Sequence, residues 1–215
     1  MMILIMWSGL IMEYIDLSYE IENNMLVYPG DEEVSIKFTK KYDNDGYTYS
    51  VLKSGMHVGT HLDCPMHLTD SSKYISEYTL ENFMGEGVII DVRGKELITL
   101  EKEYEDLLNE KEIVILFTGY EKYYGTNAYY ENHPIISEEL VDLFIEKKIR
   151  MVGFDMPSPD RNPFTIHKKL LNNRIFILEN LCNLEMLVGG EEFKVIAFPL
   201  KIKGEGSLVR AVAIK

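Results

Sequence analysis

The chain has 215 residues, 46% hydrophobic and 27% charged, enough for one substantial globular domain. A formal net charge of -13 argues against electrostatic attachment to nucleic acid or to an anionic membrane and leaves a small-molecule substrate as the expected partner. Cys64 and Cys182 give no disulfide framework and suit a reducing cytoplasm.

Residues 1–11 are apolar, lack a basic leading region and are too short to span a bilayer. They are expected to be an extension, from an upstream start codon or as a contact for a partner subunit, ahead of one domain over residues 12–215. Alternation from Glu13 to Ser18 predicts a first strand. Val27-Tyr28-Pro29-Gly30-Asp31 is a turn signature, with Tyr28 at its lip either packing or meeting a substrate ring. Val34–Phe38 and Tyr47–Leu52 read as strands around a polar turn, and Ser76–Phe83 as a short helix. Gly87–Val92, Ile113–Phe117, Met151–Asp155 and Arg174–Leu178 are the continuous apolar runs of buried strands. Helices are expected over Thr99–Asn109, from Ser137 to Lys148 and over Phe164–Leu171, while Tyr120–Pro134 has no period and reads as a covering loop. Val195–Leu200 and Val209–Ile214 close the chain as strands around a flexible Lys203–Gly206 turn. The alternation predicts a mixed α/β fold.

Three of the five histidines fall within His57-Val-Gly-Thr-His61-Leu-Asp63-Cys-Pro-Met-His67. His57, His61, Asp63 and His67 all occupy odd-numbered positions, so an extended backbone projects them from one face. Straight, ten residue steps would span roughly 33 Å, too far for one site. The run must bend, and Gly59 and Pro65 are where it can. Imidazole nitrogen and carboxylate oxygen suit zinc, manganese or iron, and this makes the run a candidate metal site; the alternative is a set of local hydrogen bonds in a polar loop. Cys64 faces the other way, as a small buried hydrophobe or a reactive thiol. His133 reads equally as a structural or a substrate-facing loop residue. Glu179 ends an apolar strand, either leaving the core or entering a site.

The run resembles the H-x-G-T-H-x-D-x-P-x-H signature of the cyclase-like metal-dependent hydrolases, a family that includes bacterial kynurenine formamidase. Ile15–Ser18, Tyr28–Asp31, Phe154–Ser158 and the pair His167 and Glu179 extend the resemblance over most of the chain. It implies a swivelling β/β/α fold, a homo-oligomer and two divalent metal ions, zinc or manganese. His57, His61 and Asp63 would bind one ion, with Asp63 also reaching the second; His167 would bind the second, and Glu179 would contact both. His67 would be the catalytic acid/base. Tyr28 stands where formamidases often carry tryptophan, and Met156 where a smaller polar residue is common; both touch substrate choice. The activity implied is arylformamidase, releasing kynurenine and formate from N-formylkynurenine. The alternatives are hydrolysis of a cyclic amide of the isatin type, or a non-catalytic metal-binding protein.

Overall fold

Residues 113–117 and 151–154 are apolar without interruption because the strands they form are covered on both faces. The computed structural model describes residues 3–7, 10–190 and 192–215. Met1, Met2, Ser8 and Gly9 of the expected extension lie outside the described residues. The first half contains β1 (Ile3–Trp7), β2 (Leu10–Asp16), β3 (Ser35–Lys40), α1 (Tyr42–Asp45), β4 (Tyr49–Lys53), β5 (His61–Asp63), β6 (Met84–Asp91), β7 (Leu97–Ile98) and α2 (Tyr104–Leu107). After them come β8 (Ile113–Phe117), α3 (Ala128–Glu131), β9 (Ile135–Ile136), α4 (Glu138–Glu146), β10 (Met151–Phe154), α5 (Thr165–Asn172), β11 (Phe176–Glu179), β12 (Phe193–Ile196), β13 (Gly206–Leu208) and β14 (Val212–Ile214).

Among the described residues, ten strands make one mixed sheet in the order β1-β2-β14-β12-β6-β8-β10-β11-β5-β13. Its centre, β6-β8-β10-β11, is parallel; the strands on either side are antiparallel. Alternate residues of the central strands enter two cores. Val114, Leu116, Val152 and Phe154 pack under α4 and α5 against Leu140, Phe144 and Leu170. Ile113, Ile115, Met151 and Leu178 face the opposite layer, with Ile15, Leu62, Cys64 and Phe193. Gly87 makes room for this second core, since a Cβ there would lie 2.4 Å from the Phe193 ring.

Local chemistry explains where sequence periodicity misleads. Ser76–Phe83 is not a helix: it is two 3-10 turns, Ile75–Glu77 and Leu80–Phe83, with Tyr78 and Thr79 extended between them. Glu77 accepts from Tyr74 N at 2.8 Å, and Asn82 donates to both oxygens of Thr79, so short-range bonds satisfy backbone that a helix would have used. In the predicted Thr99–Asn109 helix only Tyr104–Leu107 is helical, and Glu103 rather than Thr99 precedes it. One turn suffices to bury Tyr104 and Leu108, and the acidic flank has no further core to reach. Ser137 does cap α4, its hydroxyl accepting from Leu140 N. The supposed flexible turn before the last strand instead leads into β13, which pairs with β5 through Ser207 opposite Leu62. Glycine and serine carry little strand propensity, and tertiary pairing overrides it.

Leu116→Ala should cost about 2–5 kcal/mol, and Ser137→Ala about 1 kcal/mol. Urea denaturation of both variants against the parent checks the ranking, and equal losses would contradict the burial described here.

Candidate metal centre

The ligand run bends as its spacing requires. Gly59 adopts a left-handed φ of 57°, turning the chain between His57 and β5, and Cys64 leads into a 3-10 turn, Pro65–His67. β5 lies between β11 and β13, and its partner across β11 puts Glu179 directly opposite His61. Directly opposed residues share a face, so His61, Asp63 and Glu179 converge. Glu179 is therefore the last member of a paired strand facing a site, not a residue leaving the core. α5 contributes His167 from the same side.

Among the described residues, Asp63 is the common member of two groups whose donor atoms lie close enough to share an ion: His57, His61 and Asp63, and Asp63, His167 and Glu179. His57 Nδ1 is 2.8 Å from Asp63 Oδ1, and His61 Nε2 is 3.5 Å from the same oxygen. His167 Nε2 stands 3.3 Å from Glu179 Oε1 and 3.8 Å from Asp63 Oδ2, while His61 Nε2 is 3.4 Å from Glu179 Oε2. Despite this proximity, among the described residues His61 Nε2, Asp63 Oδ1 and Glu179 Oε1 are buried with no well-aligned hydrogen bond, while His57 Nε2 has Glu205 Oε1 at 3.3 Å. Orphaned buried acceptors are costly, and several converging on one point have the donor chemistry of a divalent-cation site. The residues present fit such ions.

The electrostatics agree. Burial opposes charge on His57, but Asp63, Glu205 and Glu179 outweigh it and raise its pKa to about 10. Burial opposes charge on His167 too, and Asp160, Glu179 and Asp63 raise it to about 10. Burial likewise works against the Asp63 carboxylate, yet His57, His61 and His67 hold its pKa well below the usual range. The acids here demand positive charge, which protons or metal can supply. Asp160 also steadies α5: one carboxylate oxygen accepts from Ile166 N at 2.7 Å, the other meets His167 Nδ1 at 2.6 Å. That contact leaves His167 Nε2 facing Asp63 and Glu179.

His67 belongs to neither three-atom group. Its ring lies 4.1 Å from that of His57 and 6.2 Å from that of His167. Burial lowers its pKa, with the neighbouring imidazoles adding to the effect against the pull of Asp63 and Glu179. A cavity of about 240 Å³ opens above these residues, walled by Leu26, Tyr28, Tyr130, Pro157 and Phe164. Tyr28 meets Tyr130 edge-on, with centroids 5.7 Å apart. Tyr130 and Phe164 escape a sequence reading because neither carries a motif; Asp160, a polar residue between prolines, gives only a weak signal. His133 lies outside the cavity, buried with Nδ1 2.9 Å from Pro134 O, which answers its two readings in favour of structure. Cys64 is buried in the core, and desolvation lifts its thiol to about 11, so it serves as a small hydrophobe.

Because His57 and His167 hold protons at neutral pH when no metal is present, metal binding should release protons, and affinity should fall as pH falls. Calorimetric titration with Zn²⁺ in buffers of different ionisation enthalpy measures the release; zero protons displaced at pH 7 would contradict it.

Residues 15–161 match the family model described as "Putative cyclase". The chain is 31% identical over 206 residues to kynurenine formamidase of Bacillus mycoides, covering 93% of this chain and 96% of that protein. It is 36% identical over 208 residues to an uncharacterized protein of Methanocaldococcus jannaschii, covering 94% and 100%. Among solved structures, isatin hydrolase A of Labrenzia aggregata bound to benzyl benzoate superposes with a TM-score of 0.82 at 23% identity, over 94% of this chain and 93% of that one. The fold is shared with these proteins, and the family match together with the near full-length relatives shows that this chain belongs to the cyclase family of hydrolases.

Proposed function

We propose that the chain is a metal-dependent amide hydrolase acting on N-formylkynurenine, releasing kynurenine and formate. The observation that carries this reading is the pair of three-residue groups sharing Asp63, with His67 alongside, beneath an aromatic-walled cavity. His57, His61 and Asp63 would hold one divalent ion, and Asp63, His167 and Glu179 would hold a second, zinc or manganese. When bound, such ions supply Lewis-acid charge that lowers the pKa of water and polarises a carbonyl oxygen. His67, its pKa lowered by burial, is a neutral base near pH 7; it takes a proton from the attacking water and returns it to the aryl nitrogen as the C–N bond breaks. Tyr28, Tyr130 and Phe164 meet the substrate ring and exclude water from around it. Sequence likeness to a kynurenine formamidase over 93% of the chain supports this substrate.

A second reading keeps the site and exchanges the formamide for a cyclic amide such as isatin, as the name of the structural relative suggests. Ring opening needs the same water, the same proton transfer and the same flat wall.

The reading includes a homo-oligomer. In the β3–β4 ribbon Phe38, Tyr49, Val51 and Leu52 are exposed, and a two-stranded ribbon is marginal in water by itself. A second copy covering it explains that apolar surface. The proposed location is the cytoplasm, in keeping with two free cysteines; no helix among the described residues is long and apolar enough to cross a membrane.

Formate release from N-formylkynurenine by zinc- and manganese-loaded protein tests the assignment. His67→Ala should retain both ions and lose on the order of 10²–10⁴-fold in kcat; full activity would remove His67 from its role. Turnover of isatin but not of the formamide would select the second reading. Light scattering of Val51→Lys should show a smaller particle than the parent, and an unchanged mass would exclude the ribbon from the contact.

A further inference from the structure

Asn180 follows Glu179 with a left-handed φ of 56°, a conformation that asparagine tolerates better than most residues. The turn folds its side chain back against Gly59, in the turn leading into β5, where it is 5% exposed. Asn180 Nδ2 donates to Gly59 O at 2.8 Å. His61 Nδ1 lies 2.9 Å from the same carbonyl. On its other side, Asn180 Oδ1 accepts from the Tyr129 hydroxyl at 2.8 Å.

The directions of these bonds are not free. A carbonyl only accepts, so the Asn180 amide must turn its NH₂ toward Gly59 and its oxygen toward Tyr129, whose hydroxyl must then donate. By the same rule His61 carries a proton on Nδ1 toward Gly59 O, with Asn180 Nδ2 also 3.4 Å from that nitrogen, and Nε2 is the atom turned toward Asp63 and Glu179. Backbone bonds tighten the arrangement: the Thr60 hydroxyl donates to Asn180 O, and Asn180 N donates to Met156 O.

Tyr129 comes from α3. It is fully buried, while its neighbour Tyr130 lines the cavity wall and donates to Leu26 O. Successive residues of α3 thus reach the ligand loop and the substrate wall.

We propose that Tyr129 and Asn180 are positioning residues for His61: the chain Tyr129 Oη–H to Asn180 to Gly59 O fixes the tautomer and orientation of that imidazole and ties α3 to the metal centre. The proposal rests on the metal-binding part of the functional reading and not on the substrate. His61 without this support can rotate or shift its proton, and ion affinity drops before any chemistry is attempted.

The test is equilibrium binding of Zn²⁺ alone, in competition with a chromophoric chelator, to metal-free protein. Tyr129→Phe keeps the ring and removes the donor; its affinity at the His57, His61 and Asp63 group should fall about 10- to 100-fold. Asn180→Ala should fall at least as far and carries the same expectation should Tyr129→Phe not fold. The double variant should bind no more weakly than Asn180→Ala, because both changes break one chain. Tyr124→Phe is the matched control, since that buried hydroxyl has no hydrogen-bond partner among the described residues, and it should bind like the parent. Parent affinity in folded Tyr129→Phe and Asn180→Ala, with only the melting temperature lowered, would overturn the positioning role. A parent protein that takes up no Zn²⁺ would overturn both this role and the metal reading, whereas binding without formamide turnover would leave the role standing and fault the substrate alone.

Discussion

Asp63 is 1% exposed, and a carboxylate taken that far from water must be surrounded by positive charge or donated hydrogen bonds. One of its oxygens has no hydrogen bond, while His57, His61 and His167 all stand within 4 Å of the carboxylate. The rest of the centre answers this requirement. β5 needs partners on both sides to hold Asp63 at that depth, and β11 and β13 provide them. α5 must present His167 at a fixed height, which the carboxylate of Asp160 ensures. The buried parallel strands give these edges a rigid base, packed on one side by helices and on the other by β2, β12 and β14 residues.

Much of this was legible in the residues. The odd-numbered placement of His57, His61, Asp63 and His67 needs only the two-residue period of a strand, and the bend follows from the distance that a straight strand would impose. The aliphatic runs of β8, β10 and β11 announce buried strands. What escaped is set by contacts distant in sequence. Nothing near Glu179 reveals that it pairs with His61, and nothing near Ser207 reveals a partner for Leu62. The overlong helix expected at Thr99–Asn109 fails for a related reason: periodicity describes which residues could share a face, but only two of them find a core.

Asparagine 180 illustrates the limit well. In sequence it is a polar residue after a strand, a common loop start. Its amide acquires significance only when Tyr129, more than fifty positions earlier, and Gly59, on another strand's approach, are brought to either side. Local composition carries no trace of such three-way meetings, although each of the bonds is ordinary.

The cavity wall has a different origin from its floor. The floor belongs to paired strands and a helix, where a one-residue slip would turn His61 and Asp63 into the core. The wall is built from residues 26–28 and 164 in connecting segments and 130 in the one-turn helix α3, none with a ladder register to preserve. Selection can therefore reshape the pocket for a bulkier, flatter or more polar guest by editing connections, leaving the reactive floor untouched. Divergence in substrate among relatives that retain one fold is the natural result of a site whose two halves answer to separate constraints.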